Sequence, residues 1–290
     1  MWLRERRRAH ERPALPAALL PAALLLVTWL MGGCGPAAGA AKPEAGGAES
    51  SVVVFAASSL TDAFREIAAL YEERYPGSRV QYQFGGSSQL RLQLEQGAEA
   101  DVFVPASLEQ MEQARAAGLV RDPVQIFARN RLVIIAPAGN PAGIVSLEDL
   151  ARPGVRLVTA APEVPIGAYT LEMLDRADQD GAFGAGFKER VLANVVSREL
   201  NVRQVVAKVR LGEADAAVVY ASDVTPDVRP HVGVVEVPGA YNVTAAYPIA
   251  VLNHAPNPAG AQDFVDLALG PEGRRVLETW GFLPAAGGEP

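Results

Sequence analysis

The chain has 290 residues with 26 Lys and Arg against 33 Asp and Glu, a net charge of −7 with histidine neutral, and 49% hydrophobic residues. The acidic balance disfavours nucleic acid as a partner. One cysteine, Cys34, excludes an intrachain disulfide, and the three histidines (His10, His231 and His254) are too scattered for a Cys/His metal cluster.

The N-terminus is basic, with Arg4, Arg6, Arg7, Arg8 and Arg12, and an apolar segment follows from Ala14 to Met31, ending in Gly32-Gly33-Cys34. That layout reads as a secretory signal over residues 1–33. The alternative, a single membrane span, is disfavoured by the short segment and by Pro16 and Pro21. Cys34 directly after two glycines resembles a bacterial lipobox, with Met31 where leucine is usual. It would then carry a lipid anchor, and a soluble exported form cut nearby is the other reading. Residues 34–50 hold no large apolar side chain and read as a flexible tether. The signal removes five Arg and two Glu, a net +3, so the remainder carries −7 − 3 = −10. Any bound anion must therefore be held by local dipoles against the global field.

From residue 51 onward, strand-like and helical patterns alternate. The strand patterns fall over residues 52–56, 80–84, 101–105, 131–137, 156–160, 216–220, 232–237 and 247–252. The helical ones fall over 60–74, 89–96, 108–117, 168–176, 187–191, 202–211, 258–267 and 270–280. Such alternation implies α/β architecture with parallel-dominated sheets covered on both faces. Ligands in such sheets bind beyond the carboxyl ends of the strands, where helices begin.

Those ends carry a recurrent chemistry. Val52-Val53-Val54-Phe55-Ala56-Ala57 runs into Ser58-Ser59-Leu60-Thr61 and a helix with Phe64, Ile67, Ala68 and Tyr71 on one face. The second strand leads into Gly85-Gly86-Ser87-Ser88 and another helix start. Val164-Pro165-Ile166-Gly167 and Asn201-Val202-Arg203 open two more helices, and the strand over 216–220 ends in Tyr220. A helix start presents unpaired N–H groups and roughly half a positive charge, which suits an anion. Ordinary N-capping and packing account for any one of these alone. Together they supply four helix starts and several neutral donors, with Arg203 the one cationic candidate.

The segments Phe55-Ala56-Ala57-Ser58-Ser59-Leu60-Thr61, Phe84-Gly85-Gly86-Ser87-Ser88, Gly97-Ala98-Glu99-Ala100-Asp101-Val102-Phe103, Asn130-Arg131-Leu132-Val133, Val164-Pro165-Ile166-Gly167 and Val218-Val219-Tyr220-Ala221-Ser222-Asp223 resemble the periplasmic molybdate-binding proteins of ABC importers, in the family order. The resemblance implies a type II periplasmic-binding fold: two α/β lobes, two crossovers, and an oxyanion in the cleft. The first lobe would be residues 51–130 plus 245–290 and the second 131–244, with the return crossing near Tyr247-Pro248-Ile249-Ala250-Val251. Carried over, the ligand set falls on Ser59, Ser87, the backbone N–H groups of Ile166 and Val202, and the hydroxyl of Tyr220. Gly85-Gly86, Ile166 (where alanine is common) and Pro105-Ala106-Ser107 depart from the family pattern. The implied function is capture of molybdate or tungstate for an ABC permease and its ATPase, outside the cytoplasm, by a monomer needing no cofactor and no direct metal-ion ligand.

Physical argument narrows the ligand further. An all-donor pocket leaves the proton of monohydrogen phosphate unpaired, which disfavours it by roughly 1–3 kcal/mol. Sulfate, molybdate and tungstate carry no such proton and are separated only by size. Other readings are sulfate or thiosulfate binding, an effector-binding sensor domain of the same fold, and an enzyme. The sensor lacks a basic helix-turn-helix segment here. A serine hydrolase would need a base near Ser59 or Ser87, and no histidine motif supplies one.

Overall fold

The computed structural model describes residues 50–285. The expected signal, the lipidation candidate Cys34 and residues 34–49 of the tether lie outside the described residues. So do residues 286–290.

Two β-sheets carry the chain. β1 (Ser50–Ala57) passes through a 3-10 turn, Ser58–Leu60, into α1 (Thr61–Arg74). β2 (Ser78–Gly85), α2 (Ser87–Glu95), β3 (Val102–Val104), α3 (Leu108–Ala116) and β4 (Gln125–Asn130) complete the first passage. The chain then enters a second sheet with β5 (Leu132–Pro137), β6 (Leu157–Ala160), α4 (Pro165–Asp180), α5 (Phe187–Ala193) and β7 (Val195–Glu199). α6 (Val202–Arg210), β8 (Ala216–Tyr220) and β9 (Val232–Glu236) follow in that sheet. β10 (Ala245–Val251) returns to the first sheet, and α7 (Pro258–Leu269), α8 (Pro271–Thr279) and β11 (Leu283–Pro284) close the fold. The strand orders are β11-β4-β10-β3-β1-β2 and β7-β6-β8-β5-β9.

Both sheets are mixed, which corrects the expectation of parallel dominance. Among the described residues four strand pairs are parallel and five antiparallel. The parallel pairs join β1 to β2 and β3, and β6 to β7 and β8, strands linked by helical crossovers. The antiparallel ones involve β4, β5 and β10, the strands that carry the chain between sheets, together with β9 and β11. A strand that leaves a sheet without a helical crossover has no means of coming back parallel. β4, β7 and β11 were absent from the sequence reading. β4 reads Gln-Ile-Phe-Ala-Arg-Asn without alternation, and β7 is half-exposed throughout.

Register decides what meets at the strand ends. β1 and β2 pair in parallel from Ser50 opposite Ser78 to Ala57 opposite Gly85, so both strands stop at the same level. In the second sheet β6 and β7 finish opposite one another, Ala160 beside Glu199. The antiparallel pair β5 and β8 brings Leu132 opposite Tyr220.

Below those ends the core is aromatic in the first sheet. Phe64, fully buried, meets Tyr82, Phe127 and Phe264 with ring centroids 6.2, 5.7 and 5.9 Å away. The helical spacing expected for Phe64, Ile67, Ala68 and Tyr71 is realised: all four are buried along α1. The two crossings are tied to each other. Asn242, just before β10, accepts the Leu132 N–H at 2.9 Å and donates its amide to the Leu132 carbonyl at 2.9 Å. Among the described residues, no helix is long and apolar enough to cross a membrane.

Candidate anion site between the sheets

The strand ends of both sheets open onto one small cavity, about 10 Å³, close to the room one water needs. Ser59, Ser87, Ile166, Val202 and Tyr220 all line it, so the structure brings together every residue that the resemblance singled out. None of the five is more than 4% exposed.

Each donor has a local reason for its position. Ser59 sits in the middle of the 3-10 turn whose N-cap is Ala57, and Ser87 is the first residue of α2, whose N-cap is Gly86. Neither serine therefore caps a helix, which removes the ordinary explanation of the two motifs. The Ser87 hydroxyl oxygen instead accepts the Ala106 N–H at 3.0 Å, and the Ser59 and Tyr247 hydroxyls lie 3.1 Å apart. Pro165 takes the first position of α4, where its missing N–H costs nothing, and Ile166 follows with no side chain capping that end. Ile166, whose bulk sets it apart from the family pattern, is buried and belongs to the hydrophobic core as well as to the cavity wall. At α6 the Asn201 side chain accepts the Gln204 N–H at 3.1 Å and leaves that of Val202 uncapped.

Tyr220 closes the set. Its hydroxyl is buried without a hydrogen-bond partner. Burial pushes its pKa well above the usual phenol range, with the nearby Tyr247 and Tyr169 adding to the effect, so it remains a proton donor at neutral pH.

The charged groups stand back. Arg203 is not in the cavity wall: its Nε donates to the Ser58 carbonyl at 3.2 Å and its other end pairs with Asp62 across the two sheets' elements. Asp62 is thereby engaged by a cation and, like Arg203, does not line the cavity. Asp223, fully buried, accepts the Tyr220 N–H at 3.0 Å through one carboxylate oxygen, while the other has no partner. Burial raises its pKa to about 7, opposed mainly by the Arg203 guanidinium.

Two features escaped the sequence reading. Gly86 lies so close to the second sheet's elements that a Cβ there would stand 2.1 Å from the Leu200 carbonyl oxygen. Its glycine signal was legible, but the partner was not. Tyr247, buried in β10, reaches Ser59 from 188 residues away, and a lone tyrosine in an otherwise apolar strand was the only cue. A larger cavity of about 220 Å³ lies under α4 and α5, but its lining is mainly aliphatic and no set of donors converges on it.

Two mixed sheets joined by two crossings, with a donor-lined cavity between them, define a protein of the periplasmic-binding class. The model of the family described as bacterial extracellular solute-binding protein matches residues 52–283. The molybdate-binding protein ModA of Mycobacterium tuberculosis H37Rv is 40% identical over 268 residues, covering 92% of this chain and 97% of that one. The chain belongs to the bacterial extracellular solute-binding proteins, in the ModA family. Among solved structures, a substrate-binding domain of a molybdenum ABC transporter from Clostridium difficile is 26% identical, with a TM-score of 0.60 over 81% of this chain and 98% of that one. The sulfate-binding protein SubI of M. tuberculosis H37Rv, at 19% identity and a TM-score of 0.74 over 82% of this chain and 88% of that one, shares the fold.

Proposed function

We propose that this protein captures molybdate or tungstate outside the cytoplasm and delivers it to an ABC permease and its ATPase. The observation that carries the reading is the convergence of Ser59, Ser87, Ile166, Val202 and Tyr220 on one buried cavity whose wall holds no cation. A dianion taken from water into such a place is costly unless each oxygen receives hydrogen bonds, and charge-assisted ones are the strongest available. Helix starts at roughly half a charge each offset the two negative charges without offering a proton acceptor. The reading is one of binding, as the match to the solute-binding family supports.

Two lobes, residues 51–130 with 245–290 and residues 131–244, would part to admit the anion and close over it, and the permease would recognise the closed form. In this reading the protein is a monomer, held to the membrane by acylation of Cys34.

Calorimetric titration of the purified protein with molybdate, tungstate, sulfate and phosphate tests the proposal. Sub-micromolar binding of the first two, with phosphate silent, is the expected result. Ser59→Ala and Ser87→Ala should each weaken molybdate roughly tenfold to a hundredfold, the worth of a hydrogen bond to a charged group. Equal affinity for phosphate, or serine variants that bind like the wild type, would refute the site.

A further inference from the structure

A serine hydroxyl can donate or accept, so lining a cavity with serines does not by itself exclude a protonated anion. What matters is whether another group already occupies the serine's acceptor side. For Ser87 one does: the Ala106 N–H donates to its oxygen at 3.0 Å. That leaves the Ser87 proton free for the cavity.

For Ser59 the corresponding neighbour is Tyr247, with the two hydroxyl oxygens 3.1 Å apart and both residues buried. The direction of this hydrogen bond follows from the groups behind it. Asn130, fully buried at the first crossing, has its Oδ1 held by the Arg131 N–H at 3.0 Å. Its amide nitrogen therefore points the other way, donating to the Ser222 hydroxyl at 2.8 Å. The Tyr220 hydroxyl, the other polar group nearby, is at bonding distance from no partner. Among the described residues the Ser59 oxygen is thus the acceptor that lies at hydrogen-bond distance from the Tyr247 hydroxyl.

We propose that Tyr247 is a specificity-determining positioning residue: by donating its hydroxyl proton to Ser59 it makes that serine a donor only, so that the cavity rejects anions that carry a proton. The inference rests on the oxyanion reading of the site and adds to it the device that enforces donor-only chemistry. Two serines, one fixed by a backbone N–H and the other by a phenol, achieve the same end by different means. Tyr247 itself need not touch the anion.

The test is Tyr247→Phe in the full protein, titrated with molybdate, sulfate and phosphate at pH 8, where phosphate is chiefly the monohydrogen dianion. The ring keeps its edge contacts with Phe127, Tyr220 and Phe282, so the fold should survive, and a thermal melt checks this. Freed of its donor, Ser59 can accept the phosphate proton, and the preference for sulfate over phosphate should narrow by roughly tenfold or more. Ser59→Ala removes the hydroxyl and should weaken sulfate and phosphate alike, leaving that ratio unchanged. A wild-type ratio in a folded Tyr247→Phe protein overturns the proposal. Proton NMR of the molybdate-loaded wild type gives a second reading. A slowly exchanging Tyr247 hydroxyl proton directed at Ser59 is expected, and a Ser59 proton directed at Tyr247 overturns the assignment. If the wild type binds no oxyanion, the reading of the site itself falls, an outcome distinct from a binder whose ratio does not move.

Discussion

Replacing Gly86 with alanine should lower molybdate affinity by more than about a hundredfold while the melting temperature stays within a few degrees of the wild type. The added Cβ would stand 2.1 Å from the Leu200 carbonyl oxygen, more than an ångström inside van der Waals contact with a backbone atom that cannot rotate away. Leu200 immediately precedes the α6 cap, so relief of the clash moves Val202 away from Ser87 and Ser59. Donors displaced by an ångström no longer meet one anion from both sides, since hydrogen bonds weaken steeply outside a narrow range of distance and angle. Within its own sheet the change is mild. Gly86 has φ −68 and ψ 134, which alanine adopts freely, and alanine in place of glycine at a helix N-cap costs roughly 0.5–1 kcal/mol. Calorimetry and a thermal melt on the same sample separate the two effects. A variant that binds like the wild type would show that the approach of Gly86 to Leu200 is not needed for capture.

Asp223→Asn should melt higher than the wild type above pH 7 and converge with it near pH 4. The carboxyl is raised from an ordinary value of 3.8 to about 7, chiefly by burial, so between those values the folded state holds a proton that the unfolded state has lost. Wild-type stability from this group therefore declines as pH rises through that window, and the full cost is present above about 7. The span corresponds to at most about 4 kcal/mol, which for a chain of this size is several degrees of melting temperature. Asparagine retains a carbonyl to accept the Tyr220 N–H and never ionises. A difference in melting temperature that is constant from pH 4 to 8 would show that Asp223 does not titrate in this range.

The parts of the site legible in the sequence were those written in short stretches. A β-branched run followed by small residues, serines and a three-and-four apolar spacing announces a strand end and a helix start. The structure has both at Ala57 and at Gly85. What local pattern could not show is pairing over distance. Arg203 meets Asp62 across 141 positions and Tyr247 meets Ser59 across 188, and both depend on register and on the return of β10. The same blindness explains the overestimate of parallel pairing, because alternation of strands and helices is silent on the strands that change sheets. The choice of Ser59 over Ser58 came from the resemblance. Both serines line the cavity, but Ser58 also gives its carbonyl to Arg203.

Depth of burial governs the kinetics of capture as well as its strength. With all five residues at most 4% exposed around about 10 Å³ of space, roughly the room of one water, a tetrahedral oxyanion does not fit among them while the sheets' elements remain together. Association must wait for a spontaneous opening, so its observed rate should climb with ligand concentration and then level off at the opening rate. Stopped-flow tryptophan fluorescence would show that plateau, and a rate that stays linear would mean that the anion docks on one open face first. Departure obeys the same gate. A protein that lets go only when it opens can hold its cargo for long periods, until a transporter pulls the two halves apart.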